Sequence, residues 1–196
     1  MSSQGPLGTT SAVDDASVGS VAWNNLNLTY VHDGNFATAT LAVGDVSHIA
    51  RATAFGFSIP SAATILGITV YNWCQSASLS GVADFSVQLY VGGVFIGDDK
   101  ANPGIPWPMY GFDTFLSYGG TADLWGLTPT PADVNASNFG VGIAAKSYAG
   151  TGILGGIAYI DYIAITITFS SANQVKQQTI VARPPFAAYD LFLNPD

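Results

Sequence analysis

Residues that could do chemistry are few in this sequence, and they are scattered. The histidines are His32 and His48, and Asp33 follows His32 directly. Adjacent residues on a strand point to opposite faces, so His32 and Asp33 are not expected to work as a base and its partner. The chain also lacks a Gly-x-Ser-x-Gly elbow, a glycine-rich phosphate loop with its lysine, and a His-Glu-x-x-His motif. We therefore predict that the protein is not an enzyme and has no catalytic, cofactor-binding or metal-ligating residues.

The acidic residues have simpler structural interpretations. Asp14-Asp15 and Asp98-Asp99 stand beside Ser or Gly, a context that favours turn formation by Asp, with a calcium site as the alternative. Asp161 interrupts an apolar strand, so we expect it at a bulge or capping the backbone N–H groups of a neighbouring loop rather than binding a metal.

The lone cysteine, Cys74, excludes an internal disulfide framework, and we expect it to be a small buried apolar residue. A zinc site built on cysteine pairs is excluded for the same reason.

Aromatic residues offer a different kind of chemistry. In the segment 105–110 (IPWPMY), proline flanks Trp107 on both sides and Tyr110 follows. Such a loop can present flat rings that stack on sugars. The alternative is that these rings plug an end of the domain or pack at a subunit contact. The sequence leaves both interpretations of Trp107 and Tyr110 open.

Composition excludes several classes of function. The chain has 196 residues with only 9% charged, and its formal net charge is −8. This charge repels nucleic-acid phosphates and anionic lipid surfaces, so neither nucleic acid nor a membrane is expected as a partner. The first twenty residues contain no basic and apolar signal pattern, and we expect synthesis in a cytoplasm.

The distribution of residue types predicts an all-β fold. Glutamate is absent and glycine is abundant, whereas alternation of apolar and polar residues recurs along the chain. This alternation places Phe85, Val87 and Leu89 on one inner face, and it places Tyr159 on the same face as Ile163. About seven or eight such strands indicate an antiparallel β-sandwich or barrel. The predicted strands lie in segments 49–57, 64–73, 84–91, 94–96, 138–146 and 157–169.

The two ends of the chain differ from the middle, which we predict to be one domain over residues 20–170. Residues 1–19 are rich in Ser, Thr and Gly and predict an extended N-terminal arm. Residues 171–196 predict an extended C-terminal arm, in which a stiff Pro-Pro pair accompanies aromatic side chains that need a surface to cover them. The residues expected to make that contact are Pro184, Pro185, Phe186, Tyr189, Phe192 and Leu193.

Several short motifs within residues 20–170 resemble β-sandwich structural proteins of tailed bacteriophages, of the capsid decoration or cement type. These motifs are AWNN (22–25), DGNFAT (33–38), AFGFSIP (54–60), TILGI (64–68), DLWGL (123–127), NFGV (138–141) and AYIDYI (158–163). The resemblance implies a jelly-roll-like sandwich, no catalytic residues, and a virion protein that forms homo-oligomers, most commonly trimers.

A decoration protein on the outer surface of a phage head is the first functional expectation. Its partners would be the major capsid protein and further copies of itself, and the acidic charge suits the outer face better than the DNA-facing side. The alternative is a tail or head-fibre protein that recognises a host-surface glycan through loop aromatics such as Trp107 and Tyr110.

Overall fold

The computed structural model describes residues 1–77, 81–112, 114–148 and 155–170. Within these ranges the chain forms strands with two short helical segments, a 3-10 helix (Leu26–Tyr30) and α1 (Pro131–Asn135). No helix of this described part is long and apolar enough to cross a membrane. The strands are β1 (Ser2–Gly8), β2 (Ser11–Asp15), β3 (Ala37–Leu41), β4 (Ile49–Thr53), β5 (Thr64–Ser76), β6 (Val82–Val91), β7 (Val94–Ile96), β8 (Leu116–Gly120), β9 (Gly140–Ser147) and β10 (Gly156–Ser170).

The strands form two antiparallel five-stranded sheets that pack face to face. In the first sheet, β1 and β3 share one edge of β10, and β5 and β8 follow on its other side. The second sheet has the order β2-β4-β9-β6-β7. The pairs β3–β10, β4–β9, β5–β8 and β6–β7 are nested within one another, which is the connectivity of a jelly roll. The predicted all-β, jelly-roll-like sandwich is confirmed.

The predicted N-terminal arm is wrong, because residues 1–19 contribute a strand to each sheet. β1 pairs with β10 and β2 pairs with β4. The chain crosses between the sheets at Thr9, whose N–H bonds to the carbonyl of Ile163 and whose hydroxyl donates to the carbonyl of Thr53 at 2.6 Å. Backbone hydrogen bonds hold these edge strands, so they need few apolar side chains. The predicted C-terminal arm, 171–196, lies outside the described residues.

The core fills the space between the two sheets with aliphatic and aromatic side chains. β5 contributes Ile68 and Val70, and β10 contributes Ile163, Ile165 and Ile167, all fully buried. The second sheet meets them with the fully buried side chains of Val87, Leu89, Val141 and Ile143. The strand segments predicted around these residues are confirmed.

Two β-bulges place one predicted core side chain in each of two strands on the outer face instead. In β10, Ile160 pairs with Cys74 and Tyr162 pairs with Trp73, which leaves Asp161 as the extra residue. Tyr159 therefore lies on the outer face while Ile163 lies on the inner face, contrary to the simple alternation. In β6, Phe85 is the extra residue, so it is 42% exposed instead of lying in the core.

Candidate interaction surface

The first sheet is almost without charge. Its strands β1, β3, β5, β8 and β10 contain no Lys, Arg or Glu, and Asp161 is their single acidic residue. The strands of the second sheet carry Asp14, Asp15, Arg51, Asp84 and Lys146. A sheet face that meets water normally alternates apolar residues with charged or polar ones. The outer face of the first sheet has polar Thr and Gln side chains but almost no charged ones, unlike the second sheet.

Aromatic rings occupy the middle of that outer face. The ring centroid of Trp73 lies 4.7 Å from that of Phe115 and 5.4 Å from that of Tyr162. The His32 ring is also 5.4 Å from Trp73, and the Tyr71 ring is 6.1 Å away. Trp73 is thus surrounded by rings on β5, on β10 and on two loops.

A second ring group continues the first along the strand direction. Tyr110 lies 5.2 Å from Tyr159 and 5.8 Å from Phe36, and Phe36 lies 5.5 Å from Tyr159. Tyr159 pairs in register with Gln75, two positions beyond Trp73 on β5. The two groups therefore border each other on one sheet. We call the combined surface the aromatic face, and it consists of His32, Phe36, Tyr71, Trp73, Tyr110, Phe115, Tyr159 and Tyr162.

The rings at the border of the aromatic face are strongly exposed. Tyr110 is 55% exposed, Phe115 is 44% exposed and the neighbouring Phe112 is 59% exposed. Scattered apolar residues are normal on a protein surface, but a contiguous patch of large rings marks an interaction site. The aromatic face is therefore the candidate functional surface of this molecule.

The bulge at Asp161 holds the loop that carries His32 and Phe36. The Asp161 carboxylate accepts hydrogen bonds from the backbone N–H of Asp33 at 3.2 Å and of Gly34 at 3.2 Å. It also lies 3.4 Å from His32 Nε2. Burial raises the pKa of Asp161, while the two N–H bonds act in the opposite direction. Both structural interpretations of Asp161, the bulge and the loop cap, are confirmed.

Gln75 fixes the loop that carries Tyr110. Its side-chain oxygen accepts a hydrogen bond from the Gly111 N–H at 3.1 Å, and its nitrogen donates to the Phe112 carbonyl at 3.0 Å. The Tyr110 N–H donates in turn to the Ser76 carbonyl at 2.8 Å. These bonds tie the loop to the end of β5 and aim Tyr110 over the aromatic face.

Trp107 does not present a ring to solvent, which overturns one half of the predicted contact loop. It is only 2% exposed, and its indole Nε1 donates to Asp84 Oδ1 at 2.7 Å. Its ring fills the end of the core, as the alternative interpretation of this loop proposed. Tyr110, three residues later, is the member of the predicted pair that reaches the surface.

Asp84 is a buried carboxylate that ties three segments together. Besides Trp107, it accepts hydrogen bonds from the Tyr118 hydroxyl at 2.9 Å and from the Asn102 N–H at 3.1 Å. Burial raises the pKa of Asp84 and also raises that of Tyr118. A cleft of about 230 Å³ lies beside it, with Lys100 and Ile105 among its lining residues. Asp84 acts here as an internal anchor for the loop between β7 and β8.

In each acidic pair the second aspartate holds a turn, as predicted, whereas the first contacts a side chain elsewhere. Asp15 accepts a hydrogen bond from the Ser17 N–H at 3.0 Å, and Asp99 accepts one from the Ala101 N–H at 2.9 Å. Asp14 contacts His48 Nδ1 at 2.7 Å, and Asp98 contacts Lys100 at 3.1 Å. In the described parts of the chain, no group of three or more His, Cys, Asp or Glu side chains is arranged to hold a metal ion.

Cys74 is fully buried in the described structure, as predicted, and burial raises the pKa of its thiol. Its side chain lies on the inner face of β5, opposite to Trp73 and Gln75. The residue is therefore part of the core.

Most of the aromatic face was not singled out by sequence reasoning. Tyr71 and Trp73 are separated by one residue on a strand, so their shared outward direction was readable from the alternation. Tyr159 and Tyr162 are three residues apart, and only the bulge brings them to one face. The predicted contact residues of the C-terminal segment, Pro184 to Leu193, lie outside the described residues.

Comparisons of the chain with protein-family models, with curated proteins and with solved structures found no match. The resemblance to phage structural proteins, drawn from short motifs, therefore stays a prediction. What the protein does is inferred from its own residues.

Proposed function

We propose that this protein is a non-enzymatic structural protein of a tailed-bacteriophage virion, namely a decoration protein on the outer surface of the head. The observation that carries the proposal is the aromatic face, a partly exposed ring surface with few charged groups on a β-sandwich. Surfaces of this kind are covered in an assembly. The short sequence motifs that resemble phage structural proteins are the reason for proposing a virion as this assembly.

The composition of the aromatic face supports docking onto protein. Interface cores are depleted in charged residues and enriched in Tyr, Trp, Phe and Met. The face carries Tyr71 and Trp73 at its centre, and Phe115 and Met109 are 44% and 37% exposed at its border. A structural protein needs a large contact area to bind its neighbours, and it needs no reactive side chain.

The charge distribution supports a position on the outside of a shell. The formal net charge is −8, and the encapsidated DNA carries a dense negative charge. An acidic protein avoids the inner, DNA-facing side and is tolerated on the outer side. The partners in this proposal are the major capsid protein and further copies of the chain, with a trimer as the arrangement that the resemblance implies. Its action is to clamp neighbouring capsomers.

Attachment to the capsid is assigned to the C-terminal segment, residues 171–196, with its apolar sequence around Pro184, Phe186 and Phe192. The test is co-sedimentation of purified protein with phage heads that lack it. We expect the full chain to pellet with the heads, and a chain ending at Ser170 to stay in the supernatant while retaining its β-sheet circular dichroism. Equal pelleting of both chains would contradict the assignment to this segment.

Glycan recognition on a tail or head fibre is the second candidate, and the exposure of Tyr110 favours it. Trp107 is not part of the proposed glycan-binding surface, because its ring lies in the core. A Tyr110→Ala variant separates the two functions. Loss of binding to host-surface glycan with normal attachment to heads would favour recognition, and unchanged behaviour in a glycan assay would favour decoration.

A further inference from the structure

We propose that the aromatic face is the surface through which two copies of this chain contact each other. This deepens the proposed function, on which it rests for its place in a virion. The contact itself is a property of the purified protein, so it is tested without any particle.

Charge favours a second copy as the occupant. A second copy brings the same formal charge of −8, so two copies approach each other most easily through a surface without carboxylates. The strands under the aromatic face contribute only Asp161, which is 4% exposed and bonded to Asp33 and Gly34. The exposed carboxylate beside the face is Asp33, on the loop of His32, and it accepts a hydrogen bond from the Asn35 N–H at 3.0 Å. A basic partner would be recognised through clustered carboxylates, and apart from Asp161 the carboxylates of the described strands belong to the second sheet.

The exposed area fits a protein partner. Each large aromatic side chain offers about 200 Å² of surface. Tyr110, Phe112 and Phe115, at 55%, 59% and 44% exposure, therefore leave roughly 300 Å² open to solvent. The half-buried rings of Tyr71 and Trp73, together with those on β10, extend this area toward the ~800 Å² per partner of a standard interface.

The rings are held in place before any partner arrives. Gln75 fixes the loop of Tyr110 with two hydrogen bonds, and Asp161 fixes the loop of His32. The ring of Tyr162 lies against Gly8, where an added Cβ would come within 2.5 Å of the ring carbon Cε2. Side chains already ordered lose little entropy on binding, which favours a stable contact.

The chain offers a matched pair of variants for the test. Phe115 on the aromatic face and Phe85 on the second sheet are 44% and 42% exposed, so Phe115→Asp and Phe85→Asp add the same charge at similar exposure. The measurement is the mass in solution of the full chain by light scattering over a micromolar concentration series. We expect the wild type and Phe85→Asp to form multiples of 20.3 kDa, and Phe115→Asp to be a 20.3 kDa monomer.

The expected weakening of self-association by Phe115→Asp is roughly 30-fold or more, which is the effect of losing one interface hot spot. Tyr110→Asp is the second variant, since Tyr110 lies on an exposed loop where a charge does not disturb the core. Circular dichroism checks that each variant is folded. Tyr110→Asp is expected to reduce the mass as Phe115→Asp does.

Three results would overturn the proposal. The first is a wild-type chain that stays at 20.3 kDa at every concentration. The second is an equal response of the mass to Phe115→Asp and Phe85→Asp. The third is a monomeric full chain whose version ending at Ser170 self-associates, because the segment 171–196 would then cover the face. None of these results depends on whether the protein is found on phage particles. They test self-association alone, and the proposed virion function is tested by a different experiment.

Discussion

The indole Nε1 of Trp107 donates a hydrogen bond to Asp84 Oδ1 across 2.7 Å in the interior of the sandwich. This bond satisfies both the indole N–H and part of a buried carboxylate, each of which is costly to bury alone. Trp107 therefore stabilises the folded domain and does not form part of its surface. The surface that we propose for partner contact is built from other rings, on the outer face of the first sheet.

The first prediction separates Trp107 from Tyr110. Trp107→Phe removes the indole donor from Asp84 and is expected to lower the free energy of unfolding by about 1–3 kcal/mol. Tyr110→Phe changes an exposed ring and is expected to stay within about 0.5 kcal/mol of the wild type. Urea denaturation followed by circular dichroism measures both. Equal stabilities for the two variants would contradict the interior role of Trp107.

The second prediction concerns the pH dependence set by Asp84. Burial raises the pKa of Asp84, so the folded protein binds its proton at a higher pH than the unfolded chain does. The stability contributed by Asp84 is therefore fully present below the unfolded pKa and is lost as pH rises through the folded pKa. Relative to Asp84→Asn, the wild type is expected to be more stable at about pH 4 than at about pH 7.

Urea denaturation of both proteins across this pH range provides the measurement. Other carboxylates, including Asp15 and Asp133, have lowered pKa values and act in the opposite direction, but they cancel in the difference between the two proteins. A difference that stays constant with pH would show that the Asp84 pKa is not raised by folding.

The third prediction concerns the loop cap at Asp161. Asp161→Ala leaves the backbone N–H groups of Asp33 and Gly34 without their acceptor, and is expected to cost about 1–3 kcal/mol of unfolding free energy. Asp161→Asn keeps an oxygen acceptor, so its free energy of unfolding is expected to fall by less than that of Asp161→Ala. Amide hydrogen exchange at Asp33 and Gly34 reports the cap directly. Unchanged protection of these amides in Asp161→Ala would rule out the cap.

The fourth prediction tests the packing of Tyr162 against β1. In Gly8→Ala the new Cβ would lie 2.5 Å from Tyr162 Cε2, so the ring must shift away, at a cost of about 1–3 kcal/mol. Gly120→Ala is the control, because nothing lies within 4 Å of its added Cβ, and it is expected to be nearly neutral. Thermal unfolding compares the two. A Gly8→Ala variant as stable as Gly120→Ala would mean that the ring is not packed there.

Periodicity predicted the centre of the fold because its strands are strongly patterned. The alternation around Ile68 and Val70 and around Val141 and Ile143 matches the buried positions of β5 and β9. It failed for Phe85 and Tyr159, because one extra residue at Phe85 and another at Asp161 interrupts the alternation. The charged Asp161 within an apolar strand predicts its bulge, whereas nothing in the local sequence marks the bulge at Phe85.

The candidate surface was less predictable than the fold. The proline residues around Trp107 indicate a loop, but its direction depends on the distant carboxylate of Asp84. Residues 2–8 pair with β10 through backbone hydrogen bonds. This pairing leaves no side-chain pattern in the Ser- and Gly-rich sequence, so the sequence does not predict it. The aromatic face combines β5, β10, the loop before β3 and the loop between β7 and β8, and only the tertiary structure brings them together.

Immunogold electron microscopy of phage particles from the source lysate, with antibody raised against this protein, is the direct test of the decoration role. We expect gold spread over the outer surface of the head. Gold confined to tail or fibre tips would instead support glycan recognition through Tyr110 and its neighbours. Particles without label would contradict the virion role altogether.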